Sequence, residues 1–300
     1  MPELPEVETV RRQLAPHVEG REISAVRIDD PRWCAPQDAG EVEERLTGRR
    51  VESLARRGKH LILAVDDGQQ LLMHLRMTGI ILWEPEEGAP YERVRIFLDD
   101  EYAIAFCDPR RFGTGLLLPT AAERDAYLDA RLGPEPLDSA AFTDDVLREV
   151  LRGRDAPVKG LLLDQAKIAG IGNIYADESL FRAGIHPARP GRLVKTTQIA
   201  PLRAGIVESL ELGIASGGAS IDDFRHLDGA QGSFQNDFLV HRRAGEPCPD
   251  CGHEITKLVV AGRGTYVCEV CQPPPRRLPR SAKPVKSKRN GPIQSDVKRR

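Results

Sequence analysis

The chain contains 300 residues, more than most single hydrophobic cores accommodate, which predicts two domains. Its hydrophobic content of 40% suits a soluble globular protein. No apolar run approaches the ~20 residues of a membrane span, and the acidic N-terminus excludes a secretory signal. Six cysteines, four of them clustered, are too few for a secreted disulfide scaffold and indicate a reducing compartment.

Charge is distributed unevenly along the chain, although the net charge is only −2. Residues 273–300 contain ten Lys or Arg and one acidic residue, Asp296. Residues 1–272 therefore contain 33 basic and 44 acidic residues and carry a net charge of −11. Global charge does not indicate nucleic-acid binding, so any DNA-binding surface must be a local basic patch on an acidic body.

The N-terminus carries a candidate nucleophile. Proline is small enough for Met1 to be removed, which would leave Pro2 with a free secondary amine beside the carboxylate of Glu3. An α-amino group has a pKa of ~8 against ~10.4 for lysine, so part of it is neutral at pH 7 and can form a Schiff base with an aldehyde-like carbon. The alternative is an ordinary frayed terminus, and this segment alone does not decide between them.

Secondary structure is predicted to change from β-rich to helical near the middle of the chain. A helix at residues 5–16 begins with Pro5, and short strands rich in β-branched and aliphatic residues follow it. The predicted strands are Ile23–Ile28, His60–Val65, Gln70–Leu75, Val94–Leu98 and Tyr102–Phe106. Several short strands separated by turns favour a two-sheet sandwich. After a Gly- and Pro-containing linker, helices are predicted at about 143–152, 158–165, 173–183 and 195–216.

Four cysteines form the strongest local motif. Their spacing is Cys-x2-Cys-x16-Cys-x2-Cys, and two such knuckles supply four thiolates for one tetrahedral zinc ion. Four protein ligands leave no open position, so we expect a structural zinc, with disulfides or free thiols as the alternatives. The predicted ligands are Cys248, Cys251, Cys268 and Cys271. Between the knuckles, two glycines around Arg263 predict a hairpin tip that points this arginine outward.

Several blocks of the sequence resemble bacterial formamidopyrimidine-DNA glycosylases, the base-excision enzymes that remove oxidised purines. They are M-P-E-L-P-E-V-E-T-V-R-R at the start, R-R-G-K-H at 56–60, H-L-R-M-T-G at 74–79, D-P-R-R-F-G at 108–113, the 17 residues from Gln165 to Phe181, and the cysteine motif. Together they extend from Met1 to Gln272.

The resemblance implies an α+β fold with an N-terminal β-sandwich and flanking helices. A helical domain with a helix–two-turn–helix motif and a four-cysteine zinc-finger hairpin would follow. The expected divisions are a catalytic sandwich domain at 1–132, the helical domain at 133–244, the zinc finger at 245–272 and a basic tail at 273–300. The tail is rich in proline and charge and poor in large apolar residues, so we expect it to be disordered.

The resemblance also implies catalytic roles. Pro2 would attack C1′ of the damaged nucleoside, and Glu3 would act as acid and base near the opened sugar. Glu6 would hold a water or sugar network, and Lys59 would assist departure of the base and contact phosphate. Arg263 would enter the DNA groove and assist the second elimination step.

Further residues are implied to contact DNA. Met77, Arg110 and Phe112 match side chains that fill the gap left by a flipped base, whose extrusion costs a few kcal/mol. A glycine-rich turn precedes Asn173, which is expected to be an N-cap at a helix start that binds phosphate. The remaining expected contacts are His74, Tyr91, Arg154 and Lys159.

Three features depart from the family pattern. Tyr91 stands where the family usually has a DNA-contacting histidine. The family's Tyr-Gly-Arg before the finger is replaced by His241-Arg242-Arg243, which predicts a stiffer hinge. The basic tail has no counterpart in the family. In addition, the glycine-rich segment 217–234 corresponds to the family's mobile loop over the flipped purine.

We therefore expect a bifunctional DNA glycosylase and abasic-site lyase that acts on double-stranded DNA containing oxidised bases. It is expected to be a monomer that does not bind membranes and works in the bacterial cytoplasm at the nucleoid. The alternatives are an endonuclease VIII-type enzyme for oxidised pyrimidines, a catalytically silent DNA-binding paralogue, and a zinc-ribbon interaction module in an unrelated fold. Leu4 and the three gap-filling residues Met77, Arg110 and Phe112, here called the wedge, favour the enzymes that act on oxidised purines.

The basic tail is expected to attract undamaged DNA without choosing sequence. Each phosphate that it neutralises releases counterions and contributes about 0.9 to the slope of log K against log salt. Truncation after Gln272 should therefore lower non-specific affinity and this slope, while single-turnover excision at saturating enzyme stays nearly unchanged. An unchanged salt slope on undamaged duplex would mean that the tail only aids solubility.

Overall fold

The N-terminal part of the chain forms two four-stranded antiparallel sheets packed face to face. The structure is a computed structural model that describes residues 1–221, 224–276 and 283–284. The strands are β1 (Ile23–Ile28), β2 (Val51–Arg57), β3 (His60–Val65), β4 (Gln70–His74), β5 (Ile80–Trp83), β6 (Glu92–Leu98), β7 (Tyr102–Cys107) and β8 (Thr114–Leu118). One sheet has the order β1-β6-β7-β5 and the other β2-β3-β4-β8. The flanking helices are α1 (Leu4–Val18), α2 (Ala39–Leu46) and α3 (Ala121–Asp129).

The predicted α+β fold and sandwich are confirmed. The five predicted strands are present, with ends that differ by at most two residues. The strands that the sequence did not predict are β2, β5 and β8, and each lies at the edge of its sheet. β2 carries charged and small residues, as exposed edges commonly do, whereas β5 and β8 are apolar but only four and five residues long.

The central strand β3 explains why parts of the sandwich read as unbroken apolar runs. Leu61, Leu63 and Val65 point into the core between the sheets. Ile62, on the opposite face, packs in a second cluster that contains Ala169 of the following domain. Side chains alternate across a strand, so a strand with both faces covered needs apolar residues at every position.

Helix α1 connects the two main hydrophobic cores. Its residues Val7, Val10 and Leu14 belong to the sandwich core, whereas Leu4 belongs to the core of the helical domain. The backbone N–H of Leu4 donates to the carbonyl of Gly170 at 3.0 Å. The first turn of the chain is therefore anchored at the junction between the domains.

The helical part contains α4 (Asp144–Leu151), α5 (Val158–Leu163), α6 (Asn173–Arg182) and α7 (Ile199–Ala215). All four predicted helices are confirmed, and a 3₁₀ turn at Thr196–Gln198 forms the beginning of the last one. Gly184 has a φ of +62° directly after α6, which suits a glycine at a helix C-terminus. Among the described residues, no helix combines the length and hydropathy that a membrane span requires.

The zinc-finger region contains a hairpin of β9 (Thr256–Val260) and β10 (Arg263–Val267). Ala261 and Gly262 form the two-residue turn with φ values of +51° and +73°, the conformation that matches the twist of a tight hairpin. Arg263 pairs with Val260, so it is the first residue of β10 rather than the tip itself. This small shift from the prediction leaves its side chain exposed.

Only part of the basic tail belongs to the described residues. Lys283 and Pro284 form β11, a short strand that pairs antiparallel with β9, which the composition did not predict. A proline is compatible with an edge strand because it has no N–H to leave unpaired. Residues 277–282 and 285–300, on which most of the predicted disorder falls, lie outside the described residues.

Candidate active site

A cavity of about 540 Å³ opens where the sandwich, the helical domain and the hairpin meet. Its walls come from segments that are far apart in the sequence. They include the N-terminus, the turn before β3, the start of α6, the chain after α7 and the hairpin. The residues that matter for its chemistry are Met1, Glu3, Lys59, Met77, Asn173, Phe224, His241, Arg242 and Arg263.

The N-terminus reaches this cavity in a fixed conformation. Pro2 is buried, and Met1 is 48% exposed and lines the cavity. Glu3 is only 2% exposed, and its Oε1 accepts the backbone N–H of Ile174 at 3.0 Å at the start of α6. The positive end of the α6 dipole therefore stabilises the Glu3 carboxylate.

Gly172 permits this approach. A Cβ at residue 172 would lie 2.2 Å from Cδ of Glu3, a separation that real side chains do not tolerate. The glycine-rich turn before α6 thus allows the carboxylate from α1 to reach the first N–H groups of another helix. A glycine is required at residue 172, because any side chain there would displace the Glu3 carboxylate from the start of α6.

Glu6 lies behind Glu3 and does not line the cavity. Its carboxylate accepts the Glu3 N–H at 2.7 Å, the Tyr175 hydroxyl at 2.7 Å and the Ala219 N–H at 2.8 Å. Burial, with the nearby Glu3 carboxylate, raises the pKa of Glu6. The prediction that Glu6 holds a water or sugar network stays a prediction, although three protein donors already bind the carboxylate. Its contacts indicate a positioning role.

Lys59 presents a nearly buried cation to the cavity. The residue is 5% exposed, and its ammonium makes no hydrogen bond or ion pair with any described residue. Burial lowers the pKa of Lys59, although the carboxylates of Glu3 and Glu6 oppose this shift. A desolvated, unpartnered amine is expected at a site that binds an anion or transfers a proton.

The turn that carries Lys59 is held by a carboxylate from the linker. Glu135 accepts the Gly58 N–H and pairs with Arg56 at 3.0 Å and Arg57 at 3.1 Å. Arg56 also pairs with Glu8 of α1 at 3.1 Å. This network connects α1, the β2–β3 turn and the linker, so the position of Lys59 depends on all three.

Two of the predicted wedge residues sit on a rigid loop after β7. Asp108 is 1% exposed, and its carboxylate accepts the backbone N–H groups of Arg110 at 3.1 Å, Phe112 at 2.8 Å and Gly113 at 2.7 Å. The Arg110 guanidinium lies over the Phe112 ring at 4.7 Å, and Phe112 is 48% exposed. An exposed phenylalanine on a fixed loop suits insertion into another molecule.

Met77 and His74 lie close to this loop. Met77 is 38% exposed and lines the cavity, so it is not core filler. His74 accepts the Arg76 N–H on Nδ1 at 2.9 Å. Burial, the neighbouring His60 and the Arg76 cation lower the pKa of His74 to about 2. The imidazole is therefore neutral at pH 7 and carries its proton on Nε2, available as a donor.

Tyr91 and Arg154 are exposed at separate places on the surface. Tyr91 has a φ of +63°, and its carbonyl accepts the Asp108 N–H at 2.9 Å. Arg154 donates from Nε to the carbonyl of Val150 at 2.8 Å, which leaves the rest of its guanidinium at the surface. Neither residue lines the cavity, and their DNA contacts remain predictions.

The structure corrects the predicted DNA contact of Lys159 and the predicted N-cap of α6, whereas the DNA contact of Asn173 stays a prediction. Lys159 is fully buried, and its ammonium pairs with Asp177 at 2.7 Å, so it cannot reach a phosphate. The N-cap of α6 is Gly172 rather than Asn173, and Glu3 occupies the N–H groups predicted to bind phosphate. Asn173 instead donates to the Gly264 carbonyl at 3.0 Å while lining the cavity. These interactions depend on packing between domains, which local sequence does not specify.

From the sequence, several residues that line the cavity were placed in the loop 217–234 or the hinge but were given no individual role. They are Ala219, Ile221, Phe224, His241 and Arg242. The sequence contained a signal for Arg242, because this residue replaces the glycine of the family's Tyr-Gly-Arg pattern. In the structure Arg242 adopts a φ of +61°, the left-handed conformation that favours glycine. For a non-glycine residue this conformation costs about 1–2 kcal/mol. The predicted stiffening of the hinge remains a prediction.

The four predicted zinc ligands converge at one point. Their sulfur atoms lie within 4.8 Å of one another, with Cys248 and Cys271 at 3.8 Å and Cys251 and Cys268 at 3.4 Å. These separations are too long for disulfides, whereas Zn–S bonds of about 2.3 Å in a tetrahedron place sulfurs about 3.8 Å apart. The cluster suits one structural zinc ion.

Three family models match successive parts of the chain. The N-terminal domain of formamidopyrimidine-DNA glycosylase matches residues 1–115, and the H2TH domain of the same enzymes matches residues 132–225. A zinc finger found in FPG and IleRS matches residues 245–274. The chain belongs to the formamidopyrimidine-DNA glycosylase family.

Whole-chain comparisons agree with this family. The formamidopyrimidine-DNA glycosylase of Chloroflexus aggregans is 46% identical over 275 residues, covering 91% of this chain and 98% of the relative. That of Paracoccus denitrificans is 44% identical over 286 residues, covering 91% of this chain and the whole relative. Both alignments leave about the length of the basic tail unmatched.

Solved structures of the family share the fold. A Lactococcus lactis FPG variant in complex with DNA containing Fapy-dG superposes with a TM-score of 0.85 at 36% identity, covering 91% of this chain and 100% of that chain. The MutM (FPG) protein of Thermus thermophilus has a TM-score of 0.81 at 41% identity, covering 90% and 98%. The fold of the glycosylase family therefore extends over about 90% of this chain.

Zinc removal should affect DNA binding without unfolding the sandwich. Cys251→Ser should lose the single zinc ion and disorder the hairpin, because the metal organises only this short segment. Metal analysis, DNA binding and circular dichroism would check this. The matched control is Cys34→Ala, which removes a buried thiol far from the cluster in sequence and should keep zinc and DNA binding. Active protein that contains no zinc would refute the expectation.

Gly172→Ala should displace Glu3 from the start of α6. The added methyl group would overlap the Glu3 carboxylate, and a misplacement of about 1 Å can cost about 100-fold in rate. We expect the single-turnover rate of excision of a formamidopyrimidine lesion to fall by about 100-fold. Gly40→Ala in α2 is the control and should keep full activity, since its Cβ approaches only the Asp38 side chain at 3.3 Å. Wild-type rates for Gly172→Ala would show that the close approach has no role.

Proposed function

We propose that this protein is a bifunctional base-excision enzyme. It removes oxidised purines such as 8-oxoguanine and formamidopyrimidines from double-stranded DNA and then cleaves the strand at the abasic site. The observation that carries the proposal is that Met1 and Glu3, on either side of the buried Pro2, meet the Lys59 cation and Arg263 in one cavity. Membership of the glycosylase family supports the excision activity. The lyase activity rests on the N-terminal amine.

The proposed chemistry begins with the Pro2 nitrogen. After removal of Met1, this amine attacks C1′ of the damaged nucleoside while the glycosidic bond breaks and the base leaves with a proton. The sugar ring opens, and the amine and C1′ form a Schiff base that makes the neighbouring sugar proton acidic. Two successive eliminations then release the phosphates on both sides. Glu3 exchanges protons at the opened sugar, where its carboxylate is held against α6.

The cations of the cavity support the charge changes. The Glu3 and Glu6 carboxylates attract the Lys59 ammonium electrostatically, but no described residue forms a hydrogen bond or ion pair with it. The ammonium can therefore contact a phosphate or the departing base. Arg263 reaches the same cavity from β10 and assists the second elimination. The zinc ion supports the hairpin and takes no part in the reaction, because four thiolates leave no open coordination position.

The exposed wedge supports recognition of duplex DNA. Flipping a nucleotide costs a few kcal/mol of stacking, and inserted side chains offset part of that cost. Met77, Arg110 and Phe112 provide one flexible apolar chain, one guanidinium and one ring on supported loops. His74 and Tyr91 are proposed to contact the backbone, and Arg154 is proposed to do so from the helical domain. Lys159 is omitted because it is buried.

The closest alternative is activity on oxidised pyrimidines. Lactococcus lactis Fpg has been solved with DNA containing an oxidised pyrimidine as well as with an abasic site. Strand cleavage of 8-oxoguanine opposite cytosine, compared with thymine glycol, distinguishes the two substrate classes. We further propose that the enzyme acts as a monomer on the bacterial nucleoid in the cytoplasm. Intact Pro2, Glu3 and Lys59 argue against a silent paralogue.

Borohydride should trap the enzyme on damaged DNA through the Pro2 nitrogen. A preparation with Met1 still attached should lose both trapping and strand cleavage, because its Pro2 nitrogen is an amide and cannot form a Schiff base. The control is the same preparation after Met1 has been removed. Peptide mapping of the trapped species locates the bond, and full activity with Met1 attached would contradict the proposed nucleophile. Pro2→Gly is uninformative because glycine also offers an amine.

A further inference from the structure

A buried polar cluster lies behind the cavity where three segments meet. Its members are Lys159 of α5, Asp177 of α6, His241 and Thr265 of β10. Lys159, Asp177 and Thr265 are fully buried, and His241 is 4% exposed. The proposed chemistry uses none of them, and burying charged groups is costly unless their partners are well placed.

Asp177 is the hub of this cluster. Its Oδ1 accepts from the Lys159 ammonium at 2.7 Å, and its Oδ2 pairs with Nδ1 of His241 at 2.9 Å. The backbone N–H of Tyr266 also donates to Oδ2, at 3.4 Å. One carboxylate therefore contacts α5, the segment before the zinc finger and strand β10.

The contacts continue from Lys159 to Arg263. The Lys159 ammonium donates to the Thr265 hydroxyl at 2.9 Å and to the Gly264 carbonyl at 3.0 Å. The Thr265 hydroxyl in turn donates to the Arg263 carbonyl at 3.0 Å. The start of β10, and hence the base of the Arg263 side chain, is held by the helical domain through these bonds.

The neighbouring Glu178 holds the backbone of the same region. Its carboxylate accepts the N–H groups of Leu239 at 2.9 Å, Val240 at 3.0 Å and His241 at 2.9 Å. Glu178 thus anchors the main chain of this segment, whereas Asp177 orients the His241 ring. The ring also packs on Tyr266 with centroids 5.0 Å apart.

We propose that Asp177 is a positioning residue that places Arg263 and His241 at the cavity. Both residues line the cavity. His241 pairs with Asp177 directly, and Arg263 is connected to it through Lys159 and Thr265. A buried ion pair adds little net stability compared with apolar residues of similar size, but the directional hydrogen bonds of this cluster fix the relative positions of the groups they join. The cluster therefore sets the angle between the hairpin and the helical domain. The part of this inference that concerns reaction rates rests on the proposed role of Arg263.

The first test is hydrogen exchange, which does not depend on the reaction. Asp177→Asn keeps the shape of the side chain and removes its charge. We expect faster amide exchange at Gly264, Thr265 and Tyr266 in the full-length, zinc-loaded protein. The control is Arg95→Gln, which disrupts another buried pair, Arg95 with Glu92 at 2.7 Å, within the sandwich. It should destabilise the protein without changing exchange in the hairpin.

The second test measures the steps of the reaction separately. In Asp177→Asn, the second elimination should slow by about tenfold or more, whereas base excision should change much less. A double variant, Lys159→Met with Asp177→Leu, should fold and bind zinc but show the same selective defect, because apolar packing replaces the directional bonds. Equal losses in every step, or losses matched by Arg95→Gln, would reduce Asp177 to a structural residue.

The outcomes separate the inference from the proposed function. Unchanged hairpin exchange in Asp177→Asn overturns the positioning role whatever the reaction rates are. If Arg263→Ala leaves the second elimination intact, the proposed role of Arg263 fails, while altered hairpin exchange in Asp177→Asn still supports the positioning role. Both results are obtained from the same set of purified, zinc-analysed variants.

Discussion

The Glu3 carboxylate is held between the beginnings of two helices, and the arrangement of the site depends on this contact. Glu3 precedes α1 and binds the N–H of Ile174 in α6. The Leu4 N–H binds the carbonyl of Gly170 just beside it. These bonds seat the N-terminus against the helical domain, and Gly172 leaves the necessary space. A terminus that would otherwise fray is thereby fixed, with Pro2 buried between Met1 and Glu3, which both line the cavity.

The electrostatics of the cavity explain how an acidic protein can bind DNA. The body carries a net charge of −11, yet Lys59 and Arg263 present cations at the cavity while Glu6 remains behind Glu3. A low dielectric strengthens the interactions of these charges, and the Lys59 ammonium has no fixed partner among the described residues, although burial lowers its pKa. Attraction to a phosphate is therefore local. The acidic surface elsewhere gives little long-range help, which is a reason for a basic tail.

How much of the site the sequence predicts depends on where the contacts lie. The cysteine knuckles, the exposed wedge and the N-terminal block are recognisable because each depends on a short run of residues. Lys159 was misassigned because a lysine near a DNA-binding motif has the same local signature whether it faces solvent or Asp177. The N-cap of α6 was wrongly assigned to Asn173 because a carboxylate from residue 3, rather than the Asn173 side chain, occupies the helix start.

Sequence patterns were enough to predict the family, the sandwich and helices, the zinc ligands and the candidate nucleophile. These follow from spacing, periodicity and short motifs, which act over a few residues. Three-dimensional packing was needed to see that protein donors bind Glu6, that Asp177 connects the hairpin to the helical domain, and that Lys59 lacks a partner among the described residues. Such properties arise where segments more than a hundred residues apart come into contact. Burial and hydrogen-bond partners at those contacts are set by packing, which no local pattern contains.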